Sequence, residues 1–114
     1  MSQVNLQRGR YVFVEEQVRK IFVAIGKGDY QTVLAKTNTK MANITDDRGR
    51  SMVSMAVFEG HFNITYFLLS LGADPNLQDK VGNSALDMTL YRDGYLDIAK
   101  LIIEHGGRPS HWKT

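Results

Sequence analysis

The chain contains no cysteine. Disulfides, thiolate catalysis, cysteine-ligated zinc and iron–sulfur clusters are therefore excluded, and the composition suits a reducing compartment. Long apolar runs are missing too. No window reaches the ~18 apolar residues of a membrane span, and the opening Met1-Ser2-Gln3-Val4-Asn5 lacks the apolar stretch of a secretory signal. A soluble cytoplasmic protein is the expectation. Charge of one sign is equally scarce, since 14 Lys and Arg stand against 12 Asp and Glu for a net charge of +2. The small excess is N-terminal. Residues 1–28 hold Arg8, Arg10, Arg19, Lys20 and Lys27 against Glu15 and Glu16, whereas the remainder is slightly acidic. So weak an asymmetry lacks the dense basic clusters of most nucleic-acid-binding chains.

What is present is ordinary globular material. With 43% hydrophobic and 23% charged residues, 114 residues suffice for one folded domain with a modest core, not two. Internal self-similarity organises it. The segment Asp46-Asp47-Arg48-Gly49-Arg50-Ser51-Met52-Val53-Ser54-Met55-Ala56 aligns with 79–89 at a displacement of 33, and Gly60–Gly72 aligns with Gly94–Gly106 at 34. One residue is inserted around Tyr91-Arg92-Asp93. A third, degenerate unit comes first, with Ala24–Leu34 matching Ala56–Tyr66 at a displacement of 32, and Asn43 preceding Gly49 by the interval that separates Asn76 from Gly82.

Apolar spacing within each unit is helical: Ile64, Leu68 and Leu71 form one stripe, and Ile98, Leu101 and Ile102 another. Val14, Val18, Ile21, Phe22 and Ile25 predict a first helix over about 12–26. Gly72 and Gly106 stand where left-handed C-terminal caps belong, and Pro75 forbids continuation past Asp74. Ser51 and Ser84 are placed to cap the helices that follow. Each unit thus reads as turn, helix, turn, helix, extended loop. Met52, Met55 and Met88 are expected to fill the core.

The period near 33, the Gly72-Ala73-Asp74-Pro75-Asn76 segment, the Gly60-His61 pair and the helix-final Leu68-Leu69 resemble the ankyrin repeat. The resemblance covers roughly 12–108 and implies an all-α solenoid of helix-turn-helix units with short hairpin-like loops. Its expected divisions are a basic arm at 1–11, units at about 12–45, 46–78 and 79–108, and a tail at 109–114. Arg19, Lys20 and Lys27 would cover the N-terminal end, and Lys100, Glu104 and Arg108 the C-terminal one. The family's Thr-Pro-Leu-His is here Ser51-Met52-Val53-Ser54 and Ser84-Ala85-Leu86-Asp87, which leaves the hydrogen bonds of the missing histidine to be accounted for.

Convergent reactive groups are lacking. His61, His105 and His111 never fall at metal-ligand spacing, and His61 matches the family's scaffold histidine. Gly26-Lys27-Gly28 lacks the spacing of a phosphate loop. The serines have no nucleophile-elbow context, and the adjacent pairs Glu15/Glu16 and Asp46/Asp47 do not make an acid/base dyad. No enzyme, cofactor or metal is expected. The resemblance implies protein binding by a monomer through a concave face of turn tips and first helices. Carried over by alignment, that face comprises Asp47, Arg48, Arg50, Phe58 and Glu59, then Lys80, Val81, Asn83, Leu90, Tyr91 and Arg92. Arg, Phe and Tyr anchor interfaces well, although Phe58 and Tyr91 equally suit caps over a neighbouring repeat. Such a module would act as an inhibitor, an immunity or antitoxin-like protein, or an adaptor. The alternative is nucleic-acid binding through Arg8, Arg10, Arg19 and Lys20. Trp112 in the tail suits packing or docking.

Overall fold

The computed structural model describes residues 5–90 and 92–110, with side chains from Glu15 onward. The expectations placed on the side chains of Arg8 and Arg10, and on Tyr91, His111 and Trp112, lie outside the described residues. Five α-helices follow in order: α1 (Asn5–Lys27), α2 (Tyr30–Lys36), α3 (Met52–Phe58), α4 (Phe62–Ser70) and α5 (Leu96–Glu104). Short 3₁₀ turns cover Thr39–Met41 and Leu86–Thr89. An inner row of α1, α3 and the Leu86–Thr89 turn packs against an outer row of α2, α4 and α5, and each unit touches its neighbour in both rows. The described residues form an all-α stack of helix pairs.

Burial follows the periodicity. Ile21, Ile25, Val33, Met52, Val53, Val57, Ile64, Leu68 and Ile102 are fully enclosed, while Met55 and Met88 lie half-buried against them. Gly72 and Gly106 end the outer helices with φ of +94° and +90°, the conformation that disfavours a side chain. Between units, the asparagines act as clamps. Asn43 Oδ1 accepts from the Asp74 N–H at 2.7 Å. One unit later, Asn76 Oδ1 accepts from the Arg108 N–H at 2.8 Å, and its Nδ2 donates to Gly106 O. Each loop is thereby stitched to the next. His61, as expected of a scaffold residue, sits over Gly28 with Nε2 3.4 Å from Gly26 O.

Two local expectations differ from the structure. The first helix begins at Asn5 rather than near 12. In the last unit, no α-helix follows Ser84: the inner element is a single 3₁₀ turn closed by i→i−3 bonds from Asp87 N to Ser84 O and Met88 N to Ala85 O. Thr89 Oγ1 donates to Leu86 O at 2.8 Å, competing with helical continuation. Ser51 caps α3 as expected, its Oγ accepting from Ser54 N at 3.0 Å. Ser84 does the reverse, donating through N and Oγ to the Asp87 carboxylate.

The missing histidine has thus been replaced in one unit and not in the other. Asp87 supplies the polar link, whereas Ser54 Oγ is buried with no described hydrogen-bond partner. A buried hydroxyl that bonds nothing carries a desolvation cost without a return. Ser54→Ala is therefore expected to stay within about 1 kcal/mol of the parent, on the stabilising side, in urea unfolding.

Candidate protein-binding face

The two described turns that project from the inner row share one architecture. In the first, the Asp46 N–H donates to Arg50 O, Gly49 N donates to Asp46 O, and Asp46 Oδ1 accepts from Arg48 N and Arg50 N, both at 2.9 Å. In the second, Asp79 N donates to Asn83 O, Gly82 N to Asp79 O, and Asp79 Oδ1 accepts from Val81 N and Asn83 N at the same 2.9 Å. An aspartate thus organises each tip from within, as short acceptor side chains do in turns. The tips are joined by Lys80 N donating to Arg48 O at 3.0 Å, and an antiparallel bridge between Thr45 and Ser51 closes the first into a hairpin.

This geometry separates the candidate residues by role. Arg50 is tied down: its Nε lies 2.8 Å from Asp46 Oδ2 in an ion pair. Burial raises the Asp46 carboxyl, but hydrogen bonds from Arg50 and Arg48 and the Arg50 charge outweigh it and hold the group below the usual aspartate value. Asn83 is half-buried within its turn. Asp47, Arg48, Lys80 and Val81 are the exposed tips, Val81 at 83%. They are the turn positions whose side chains the scaffold does not occupy.

Beside the first tip lies a groove of about 800 Å³ between α1 and the 44–50 loop. Val18, Phe22 and Ile44 supply its apolar surface, while Glu15, Arg19, Asp46, Asp47, Arg48 and Arg50 supply its charge. A short apolar strip within a charged rim offers a protein partner contact area and orienting charge together.

Phe58, Glu59 and Arg92 lie elsewhere. They stand at or just past the far ends of the inner elements, separated from the tips by the length of α3, about 10 Å of helix. The Arg92 guanidinium stands 4.4 Å from the Phe58 ring centroid and 5.6 Å from that of Tyr95. Tyr95 Oη donates to Phe58 O at 3.2 Å and accepts from Arg92 at 3.4 Å. Phe58 is half-covered by this cluster, which joins the middle and last units. Leu90 and Glu59 are exposed. The carried-over set therefore divides into a tip group and a helix-end group.

The α1 contribution to the groove was missed. Phe22 is in the core at 7% exposed and Val18 is half-buried against it, as the helical spacing predicts, and both also line the floor of the groove. Among the described residues no group of three His, Asp or Glu side chains is arranged to hold a metal ion, and no helix is long and apolar enough to cross a membrane.

Comparison with known proteins agrees with this architecture. A putative ankyrin repeat protein of Rickettsia felis is 46% identical over 48 residues, covering 39% of this chain and 21% of that protein. A putative ankyrin repeat-containing protein of Treponema pallidum is 27% identical over 92 residues, covering 81% of this chain and 30% of that one. Ankyrin repeat and MYND domain-containing protein 1 of Mus musculus is 29% identical over 77 residues, 65% of this chain and 8% of its own length. The chain thus spans less than a third of each of these relatives. The family model described as "Ankyrin repeats (3 copies)" matches residues 21–111. With its three stacked units, its asparagine clamps and its paired aspartate-organised tips, the chain belongs to the ankyrin-repeat family.

Proposed function

We propose that the protein acts by occupancy, binding another protein across its tips and the groove beside them. Ankyrin repeats are generally protein-interaction modules, and the observation that carries the reading here is the groove itself. Its rim includes Asp47 and Arg48, side chains exposed beyond a turn that Asp46 and Arg50 hold together. Lys80 and Val81 extend the same surface on the next tip. Phe58, Glu59, Tyr91 and Arg92 form a secondary contact region. Catalysis has no part in this mechanism. Binding serves inhibition, as for an immunity or antitoxin-like protein, where it covers the partner's own working surface, and serves tethering where it does not. The absence of cysteine suits an encounter in the cytoplasm.

The test is affinity capture from lysate of the source cell, with nuclease added, using the parent and an Arg48→Glu/Lys80→Glu variant. These residues are exposed, so the variant is expected to keep its helical signal and unfolding midpoint. A stoichiometric protein held by the parent and released by the variant is the expected result. Material lost on nuclease treatment would instead assign the work to Arg8, Arg10, Arg19 and Lys20. A protein held equally by both forms would remove the site from the tips.

A further inference from the structure

The two tips differ at one backbone amide. In the second, Lys80 N donates to Arg48 O at 3.0 Å, which fastens that tip to the one before it. The counterpart of Lys80 at a displacement of 33 is Asp47, whose N–H takes part in none of the described hydrogen bonds. The reason lies in α1. At the displacement of 32 that aligns the first unit, 46–50 corresponds to 14–18, and these residues continue the helix that runs from Asn5 to Lys27 instead of turning. Among the described residues the first unit therefore makes no tip, and the groove between α1 and the 44–50 loop lies on the side from which one would have reached Asp47.

Thr45 leaves the same edge unpaired. It faces Ser51 across an antiparallel bridge whose hydrogen bond is made by the neighbouring Asp46 N and Arg50 O, so the N–H and C=O of Thr45 itself point away from the hairpin. No described hydrogen bond uses either group. Thr45 and Asp47 stand two positions apart, the interval at which backbone groups return to one edge of a strand, and both are exposed and line the groove.

We propose, building on the binding face proposed above, that this edge receives an extended segment of the partner's chain, which pairs with Thr45 and Asp47 where a preceding tip would have done so. Hydrogen bonding selects the form of the occupant: unpaired donors and an acceptor along a strand edge are satisfied by extended backbone, whereas a helix has used its own amides and carbonyls internally. Charge selects its class. Three acidic and three basic side chains line the groove, so it lacks the excess of positive charge that binds a nucleic acid. The apolar strip of Val18, Phe22 and Ile44 then receives one side chain of the segment and sets its register.

The substitution Asp47→Pro isolates the amide. Asp47 is the second residue of the turn that Gly49 N closes on Asp46 O, a position proline suits in the common turns, and the bonds accepted by Asp46 Oδ1 come from Arg48 and Arg50 instead. Asp47→Ala removes the same carboxylate and keeps the N–H. The probe is a displayed library of random linear peptides selected on the full chain, with the enriched peptide titrated against the parent and both variants. The expected result is slowed exchange of the Asp47 amide in the bound parent, and binding by Asp47→Pro about tenfold weaker than by Asp47→Ala, the effect of one hydrogen bond left unmade. Far-ultraviolet circular dichroism checks that both variants fold, and the exchange measurement on the parent decides the matter if Asp47→Pro does not. Enrichment of no linear peptide overturns the proposal. So does an unchanged exchange rate at Asp47, equal affinity in the two folded variants, or a peptide that turns helical on binding. A protein partner released by Arg48→Glu/Lys80→Glu but held by Asp47→Pro as tightly as by Asp47→Ala would leave the binding face standing and remove the extended segment from it.

Discussion

Replacing Asp87 with alanine is expected to lower stability by about 2–3 kcal/mol, the range for deleting a buried ionised acceptor and stranding its donors. The carboxylate accepts from Ser84 N at 2.8 Å, from Ser84 Oγ at 3.2 Å and from Ser110 N at 3.2 Å. The same Ser84 hydroxyl, with one proton to give, also lies 3.0 Å from Arg108 O, so the two acceptors share it. One side chain therefore joins the start of the last unit to the segment that follows α5. Its removal leaves the Ser84 and Ser110 amides without their acceptor and releases the segment from Arg108 to Ser110. Urea unfolding reads the loss, and hydrogen exchange should accelerate first at Ser110. A change below about 0.5 kcal/mol, ordinary for a surface substitution, would refute the link.

The same residue makes the fold sensitive to acid. Burial raises the Asp87 carboxyl, but hydrogen bonds from Ser110 and Ser84 outweigh it, so the net displacement is downward. Asp46 moves in the same direction, and Asp29 does so chiefly because Thr32 donates to it through hydroxyl and amide. A carboxylate with a lower pKa folded than unfolded stabilises fully above the ordinary aspartate value near 3.9, and that contribution disappears as pH falls through the folded value. Stability should therefore hold down to about pH 5 and decline below about 4, and the decline should be shallower in Asp87→Asn. An unchanged slope in that variant would show that Asp87 is not among the groups responsible.

The second large effect is expected at Gly60. Its φ is +78°, and a Cβ there would stand 2.6 Å from Tyr95 Oη and 3.1 Å from Cζ. Tyr95 cannot withdraw freely, since its hydroxyl donates to Phe58 O and Arg92 lies against its ring. Gly60→Ala should thus cost about 3 kcal/mol, of which the left-handed backbone accounts for roughly 1–2. Gly94 provides the control. It has φ of +82° with nothing described within 4 Å of a Cβ, so Gly94→Ala should carry the backbone cost alone. Thermal or urea unfolding of both variants measures the difference. Equal losses would mean that Tyr95 does not restrict Gly60.

What the residues disclosed before the structure was repetition. The period, the glycine caps and the spacing of Asn43 and Asn76 from Gly49 and Gly82 were visible because each is a local pattern repeated at a fixed displacement. The asparagines proved to be the clamps between units. Ser84 illustrates the limit. Its position matched that of Ser51, yet Asp87 three residues on and Ser110 in the following segment draw it into a different network. That network depends on contacts across 23 and 24 residues, which no local window contains. The tips were correctly located as turns, but Arg50 belongs to the scaffold because Asp46 faces it, while Arg48, two residues earlier, is exposed. The groove was hidden for another reason. Val18 and Phe22 carry a core signature, and their helix meets a loop that arrives from beyond residue 40.

Partner binding is expected to use the tips and the groove beside α1. Amide hydrogen exchange on the purified complex tests this most directly, by comparing the free and bound protein. Exchange should slow across 44–50 and 79–83, with the outer helices α2 and α4 unchanged. Slowed exchange confined to the outer helices, with the tips exchanging as in the free protein, would contradict it.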